Sequence, residues 1–304
     1  MLINYNIIII FNVIITIMKK NILNLNIHKI WICFFIITIF IGGAIYCQEN
    51  FSHIIMANHD YNKIKSQITH KIKPWQGVIS TTSVTILTYH SVRDFKQNDS
   101  FMARDMYITT PNVFFSEMTY LRDHNYNVIT MDDLMESLHG LRTLATNSVV
   151  ITFDDGYKSQ HDNALPILEL YHMPAIFFIY TKAINTYKIS MTWNDVNDLI
   201  ARGMTIGGHS YSHPKLNKII DKDELEMEIT DSKDTIEQHT GIPIDYFAYP
   251  YGLYNRKVIQ GVKDADYAAA LIDNGNTTNI VYNPYEINRY NINNDFESFK
   301  KILQ

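Results

Sequence analysis

Between residues 84 and 292, short apolar runs rich in β-branched and aromatic residues alternate with longer amphipathic or charged stretches. VTILTY (84–89) precedes a helical pattern over 111–124, and YNVIT (126–130) precedes MDDLMESLHG (131–140). SVVITF (148–153) precedes a helix through 164–171, and PAIFFIY (174–180) precedes WNDVNDLIARG (193–203). MTIGG (204–208) precedes a charged helix over 221–239, while DYFAYP (245–250), YAAALI (267–272) and EINRYNI (286–292) read as further strands. Strands apolar on both faces and trailed by helices predict a parallel α/β architecture, because only helices packed on the faces can cover them. In such folds chemistry collects at the C-terminal ends of the strands. His90 follows VTILTY, Asp154 and Asp155 follow SVVITF, His209 follows MTIGG, and Pro250 and Gly252 close DYFAY.

Upstream of this pattern the texture differs. Residues 30–46, IWICFFIITIFIGGAIY, carry no charge and follow Lys19, Lys20, His28 and Lys29. A basic flank before an apolar run is the pattern of a signal peptide or membrane anchor with its basic end inside. The run is slightly short of the roughly 20 residues of a full span, and a buried helix is the other reading. Met18-Lys19-Lys20 makes a natural start for the segment. The expected organisation is a signal or anchor segment over 1–47, a polar linker over 48–83 and a catalytic domain over 84–304, at the extracellular face, secreted or membrane-anchored. Cys33 and Cys47 both fall in or beside the apolar run, so the globular part holds neither a disulfide framework nor a thiolate metal site. Lipidation of Cys47 is conceivable, but Tyr46 is bulky where a small residue belongs. A net charge of −5 leaves no electrostatic footprint for nucleic acid.

SVVITFDDG places adjacent carboxylates at the mouth of an apolar strand, where they require a cation or an arginine. Gly156 permits a sharp turn that brings both to one cavity; the competing reading is a helix N-cap pair. HSYSH (209–213) spaces two histidines four apart, so that a helical or tightly turned segment brings them to one metal ion. Solvated loop histidines are the alternative, weakened by Gly207 and Gly208 at the strand end. Two imidazoles and one carboxylate, with positions left open, are a common catalytic metal arrangement.

TFDDG (152–156), HSYSH and FAYPYG (247–252) resemble the three leading motifs of the polysaccharide deacetylase, or NodB homology, family. TYHSV (88–92), placed before the Asp-Asp strand, is similar to the poly-β-1,6-N-acetylglucosamine N-deacetylases of the intercellular adhesin type. The resemblance covers about residues 84–292 and implies a distorted (β/α) barrel. It further implies that Asp155, His209 and His213 bind a divalent metal, zinc in the first instance, with other divalent ions accepted by relatives. Asp154 is then the general base. The Tyr251 N–H, in the turn of Pro250, Tyr251 and Gly252, helps hold the oxyanion, and Gly252 lets backbone approach the substrate.

Two departures follow. Where many members carry an arginine before the third-motif proline, this chain has Ala248, so the arginine that orients the base must come from elsewhere. Arg289 is the candidate, against a surface salt bridge. The general acid, supplied in many members by a histidine near the C-terminus, is assigned to His90, against a buried core histidine. Tyr157, Tyr180, Trp193, Tyr211 and Tyr249 are candidates for stacking on sugars, with core packing the default for Trp193 and Tyr180. His53, His59, His70, His161 and His172 match no motif.

The expected function is hydrolysis of N-acetyl groups on an N-acetylglucosamine polysaccharide, poly-β-1,6-N-acetyl-D-glucosamine first, in biofilm exopolysaccharide maturation. Chitin oligomers or peptidoglycan are the rival substrates. A non-catalytic carbohydrate-binding module is the rival class, and it would have no use for Asp154. A two-carboxylate glycosidase needs separated acids and leaves HSYSH unexplained.

Overall fold

The computed structural model describes residues 84–100, 106–273 and 283–303. The apolar segment, the linker, both cysteines, Met18, His53, His59 and His70 lie outside the described residues. Among the described residues no helix is long and apolar enough to cross a membrane.

The chain begins with β1 (Val84–Tyr89), β2 (Ser91–Val92) and β3 (Ile108–Thr109), then α1 (Pro111–Asp123), β4 (Asn127–Val128) and α2 (Met131–Leu138). β5 (Ser148–Phe153) leads through a π-helical turn, Gln160–Ala164, into α3 (Leu165–Leu170). β6 (Ile176–Ile179), α4 (Trp193–Ala201) and β7 (Thr205–Gly208) follow. Next come α5 (Lys222–Glu226), a second π-helical turn, Met227–Asp231, and α6 (Ser232–Thr240). β8 (Tyr246–Ala248), α7 (Arg256–Asp264), β9 (Ala269–Ile272), β10 (Ile287–Asn288), β11 (Tyr290–Asn291) and α8 (Phe296–Ile302) complete the order.

Local sequence sets many of these boundaries. Thr130 and Thr192 cap α2 and α4, and Asp133 and Asp195 complete reciprocal capping boxes. Asn255 caps α7, and Gly241 stops α6 in a left-handed conformation.

Nine strands share one sheet in the order β10-β9-β8-β7-β6-β5-β1-β11, with β4 beside β5, and all these pairings are parallel. β10 and β11 stand at opposite ends of that order, yet Arg289 alone separates them in the chain. The sheet therefore curls into a nearly closed barrel whose seam is residues 287–291. EINRYNI, expected as one strand, is split because its first half pairs with β9 and its second with β1.

Alternation along the strands sorts the core into two layers. Leu87, Tyr89, Ile151, Phe153, Phe177 and Ile179 pack against the surrounding helices. Ile86, Val150, Ile176, Phe178, Ala248, Leu271 and Ile287 form a second cluster, to which α2 is the only helix contributing among the described residues. That second cluster fills the barrel, and the polar side chains of the site lie above it.

Candidate active site

The strand ends deliver the site. Asp154 directly follows β5, and its N–H donates to the Tyr89 carbonyl at 2.9 Å, tying it to the neighbouring β1. Asp155 and Gly156 then take left-handed backbone, φ 75° and 67°, which turns the chain so that both carboxylates line one cavity. Left-handed φ also occurs at Ser210, His213 and Tyr251, at 68°, 61° and 58°. Such conformations are costly for L-residues and persist where surrounding contacts over-determine them, often at functional sites.

Asp155, His209 and His213 converge, with their ligand atoms within 4.8 Å of one another. Asp155 Oδ1 lies 3.3 Å from His213 Nε2 and 3.6 Å from His209 Nε2, and the two Nε2 atoms are 3.1 Å apart. His209 Nδ1 lies 2.8 Å from the Ala248 carbonyl. A carbonyl only accepts, so Nδ1 carries the proton and Nε2 presents its lone pair to the triad. Burial and the neighbouring His209 push His213 down to about 4, against the opposite pull of Asp155 and Asp154. Two imidazoles and a carboxylate whose ligand atoms face one point are the donor set of a divalent cation such as zinc. These residues fit the implied metal.

Asp154 stands outside that triad and is buried. Its Oδ1 and Oδ2 accept from Arg289 NH1 and NH2, each at 2.7 Å, and the same NH1 reaches Thr152 Oγ1 at 3.2 Å. Arg289 is 0 % exposed, so it is not a surface salt bridge. Burial alone would raise the Asp154 carboxyl, but the charge of Arg289 and its hydrogen bonds hold it well below the usual carboxylate range. Ala248, where an arginine was missing, sits in the barrel-filling cluster. The guanidinium arrives instead from the barrel seam.

His90 is buried at the end of β1, its ring edge-on to Tyr107 at 5.0 Å. Its Nδ1 is buried and has no partner among the described residues, and the residue lines the same cavity of about 450 Å³ as Asp154, Asp155, His209 and His213. Gln160, the first residue of its π-helical turn, donates Nε2 to the carbonyls of both His90 and Asp154 and so links the two strand ends.

In the PYG turn the two hydrogen bonds are donated by Gly252 and Leu253, so neither uses the Tyr251 N–H. The Tyr251 side chain is 55 % exposed and stands edge-on to His213 at 4.5 Å. Gly252, expected to let backbone approach the substrate, lines the cavity, and it relieves an internal crowding as well. A Cβ there would lie 2.9 Å from both N and O of Asp273, and its φ is 63°.

Of the expected sugar-stacking aromatics, Tyr157 and Tyr180 line the cavity, whereas Trp193 and Tyr211 do not. Trp193 stacks on His239 at 4.1 Å. Tyr249 reaches the wall but is fully buried, its hydroxyl donated to the Tyr285 carbonyl, so it offers no face to a sugar. His161 lies apart from the cavity, between Asp162 and Asp198.

Sequence reading passed over Asp273, which also lines the cavity. It directly follows β9, so the strand-end rule that found Asp154 would have found it too. Burial pushes its carboxyl up, with Arg289 pulling the other way. Met106, Tyr107 and Asn291 also line the cavity, and no pattern in the chain marks them.

Residues 142–270 match the family model of polysaccharide deacetylases. The putative polysaccharide deacetylase YxkH of Bacillus subtilis is 25% identical over 194 residues, 64% of this chain and 65% of that protein. The chain thus spans just under two thirds of that relative's length. The poly-β-1,6-N-acetyl-D-glucosamine N-deacetylase of Staphylococcus aureus is 25% identical over 243 residues, 73% of this chain and 82% of the relative. Among solved structures, the Streptococcus pyogenes deacetylase PplD in complex with acetate superposes with a TM-score of 0.67 at 21% identity, covering 74% of this chain and 100% of that one. IcaB from Ammonifex degensii gives a TM-score of 0.64 at 20% identity, covering 74% and 97%. At these identities the structural likeness shows a shared fold.

Proposed function

We propose, from the premise that the chain carries a polysaccharide deacetylase domain over residues 142–270, that it is a metal-dependent N-deacetylase acting on poly-β-1,6-N-acetyl-D-glucosamine. The observation that carries the chemistry is the separation of two carboxylates with different partners. Asp155 faces two imidazoles, whereas Asp154 faces an arginine on the wall of the same cavity. A pure binding module has no use for the second carboxylate.

In this proposal Asp155, His209 and His213 hold the divalent ion. An ion bound there supplies Lewis acidity, polarising the acetamide carbonyl and acidifying water. Asp154 takes the proton of the attacking water on a carboxylate oxygen, while the two-pronged contact with Arg289 keeps that carboxylate ionised and fixed in orientation. The Tyr251 N–H donates to the oxyanion that develops on the acetamide oxygen. His90 delivers a proton to the departing amine nitrogen, a task suited to an imidazole at neutral pH. Tyr107, Tyr157, Tyr180 and Tyr251 offer ring surface to the sugar from the cavity wall.

The β-1,6 linkage rests on the early TYHSV motif and on the relatives bearing that substrate in their names. The basic and then apolar segment ahead of the domain supports placing it outside the membrane, secreted or tethered, where such a polymer accumulates. Freed amines become cationic and bind anionic cell-surface polymers, which fits a role in biofilm matrix.

The test is acetate release from acetylated β-1,6-glucosamine oligomers beside chitin oligomers, with and without a chelator. Turnover of the β-1,6 oligomers that stops on metal removal is expected. Activity surviving thorough chelation overturns the mechanism, and equal or better turnover of chitin overturns the substrate.

A further inference from the structure

The loop joining the two histidines adopts a conformation that its own sequence does not favour. Ser210 and His213 both have left-handed backbone, and neither is a glycine. Part of the restraint is internal, since Ser210 Oγ accepts the His213 N–H at 3.0 Å. The larger part comes from a side chain far along the chain. Glu228 is 2 % exposed, and its Oε2 accepts the N–H groups of Tyr211 and Ser212 at 3.0 and 2.8 Å. Its Oε1 accepts the Ser212 hydroxyl at 2.5 Å, and its main-chain carbonyl lies 3.0 Å from the Tyr211 nitrogen.

Glu228 belongs to the π-helical turn Met227–Asp231 between α5 and α6. Such a turn widens the helix by a residue and re-aims a side chain, and it is frequent at functional sites. Glu228 does not line the cavity and is not part of the triad. Both oxygens of a buried carboxylate are thus engaged on the residues between His209 and His213, where three side-chain hydrogen bonds hold the geometry.

We propose that Glu228 is the positioning residue of the metal loop. It fixes the residues between the two histidines, and through them the separation of the imidazoles, so ion affinity depends on a carboxylate that touches neither ion nor substrate. The inference rests on the metal-site assignment above. Groups that orient metal ligands typically change affinity about 10–100-fold when replaced.

The experiment measures zinc affinity of the full chain by competition with a chromophoric chelator, alongside the visible spectrum of the cobalt-loaded protein and the unfolding midpoint of the metal-free protein. The variants are Glu228→Gln, Ser212→Ala and Lys233→Met. Lys233 lies on α6, directly after that turn, and donates to the carbonyls of Ala265 and Asp266, so its replacement loosens the adjoining helix through bonds outside the loop. Expected are zinc binding roughly 10–100-fold weaker in Glu228→Gln, an altered cobalt spectrum, and a smaller loss in Ser212→Ala at an unchanged midpoint. Lys233→Met should lower the midpoint and keep wild-type zinc affinity. Wild-type affinity or an unchanged cobalt spectrum in Glu228→Gln overturns the proposal, as does an equal zinc loss in Lys233→Met. Should Glu228→Gln fail to fold, Ser212→Ala decides, and unchanged affinity there overturns it. A wild-type chain that binds no zinc overturns the metal site itself, which separates the two failures.

Discussion

Arg289 grips Asp154 with both terminal nitrogens, one on each carboxylate oxygen, at 2.7 Å and across 135 residues of chain. Both partners are buried, and the contact sits where the barrel closes, with Arg289 between the strand that pairs with β9 and the strand that pairs with β1. Barrel closure and orientation of the proposed base are therefore one structural event. The guanidinium also lies 5.4 Å over the ring of Phe178, at the top of the packed interior.

Replacing Arg289 with Met leaves a buried carboxylate unpaired. The loss should be about 3–5 kcal/mol at neutral pH, the range for breaking a buried pair. Asp154 is depressed in the folded protein, so the contribution is complete above the unfolded carboxylate value of about 3.9 and is lost as pH falls through the lower folded value. In the variant the Arg289 charge and hydrogen bonds no longer oppose burial, the Asp154 pKa rises, and the acid limb of the activity profile moves to higher pH. Urea unfolding and a pH–rate profile check both halves.

Asp154→Asn keeps a carbonyl oxygen for Arg289 but removes the proton acceptor. Turnover should fall by roughly 10²-fold or more while zinc content stays at the wild-type level. Elemental analysis beside acetate release decides it: loss of zinc would move Asp154 into the ligand set.

His213 is held down to about 4 in the folded, metal-free protein by burial and by His209, whereas an unfolded histidine titrates near pH 6.5. Between those values the unfolded chain takes up the proton and the folded chain does not. Stability of the metal-free protein should therefore fall as pH drops from about 6.5 towards 4. An NMR titration of the metal-free protein should place the His213 midpoint near 4, and a midpoint near 6.5 would contradict the enclosed triad.

Gly252→Ala should destabilise by more than about 1 kcal/mol, the usual scale for a side chain at positive φ. The added Cβ also meets the Asp273 backbone at 2.9 Å, so Asp273 shifts with it. Urea unfolding of the variant with an intact metal site measures the packing term, and a neutral result would mean that the PYG turn is free to relax.

Much of this protein was legible in its sequence because strand and helix patterns are local. SVVITF forms a six-residue strand buried throughout its length, and the strand-end rule locates His90, Asp154, Asp155 and His209 from local pattern alone. Asp273 obeyed the same rule and was passed over because no motif drew the eye to it. The stacking role expected of Tyr249 failed for a different reason. Its neighbours, not its type, decide whether a ring faces a sugar, and Tyr249 is enclosed with its hydroxyl on the Tyr285 carbonyl.

By itself the sequence determined the alternating architecture and the two clusters of ionisable residues, since apolar periodicity and a few glycines specify where strands end. Tertiary structure alone decided which groups meet. The separation of Asp154 from the Asp155 triad, the supply of its arginine from the seam and the hold of Glu228 on the histidine loop all join distant segments. Such contacts have no local signature, because a buried charge is satisfied by whichever partner the closed barrel brings within hydrogen-bond reach.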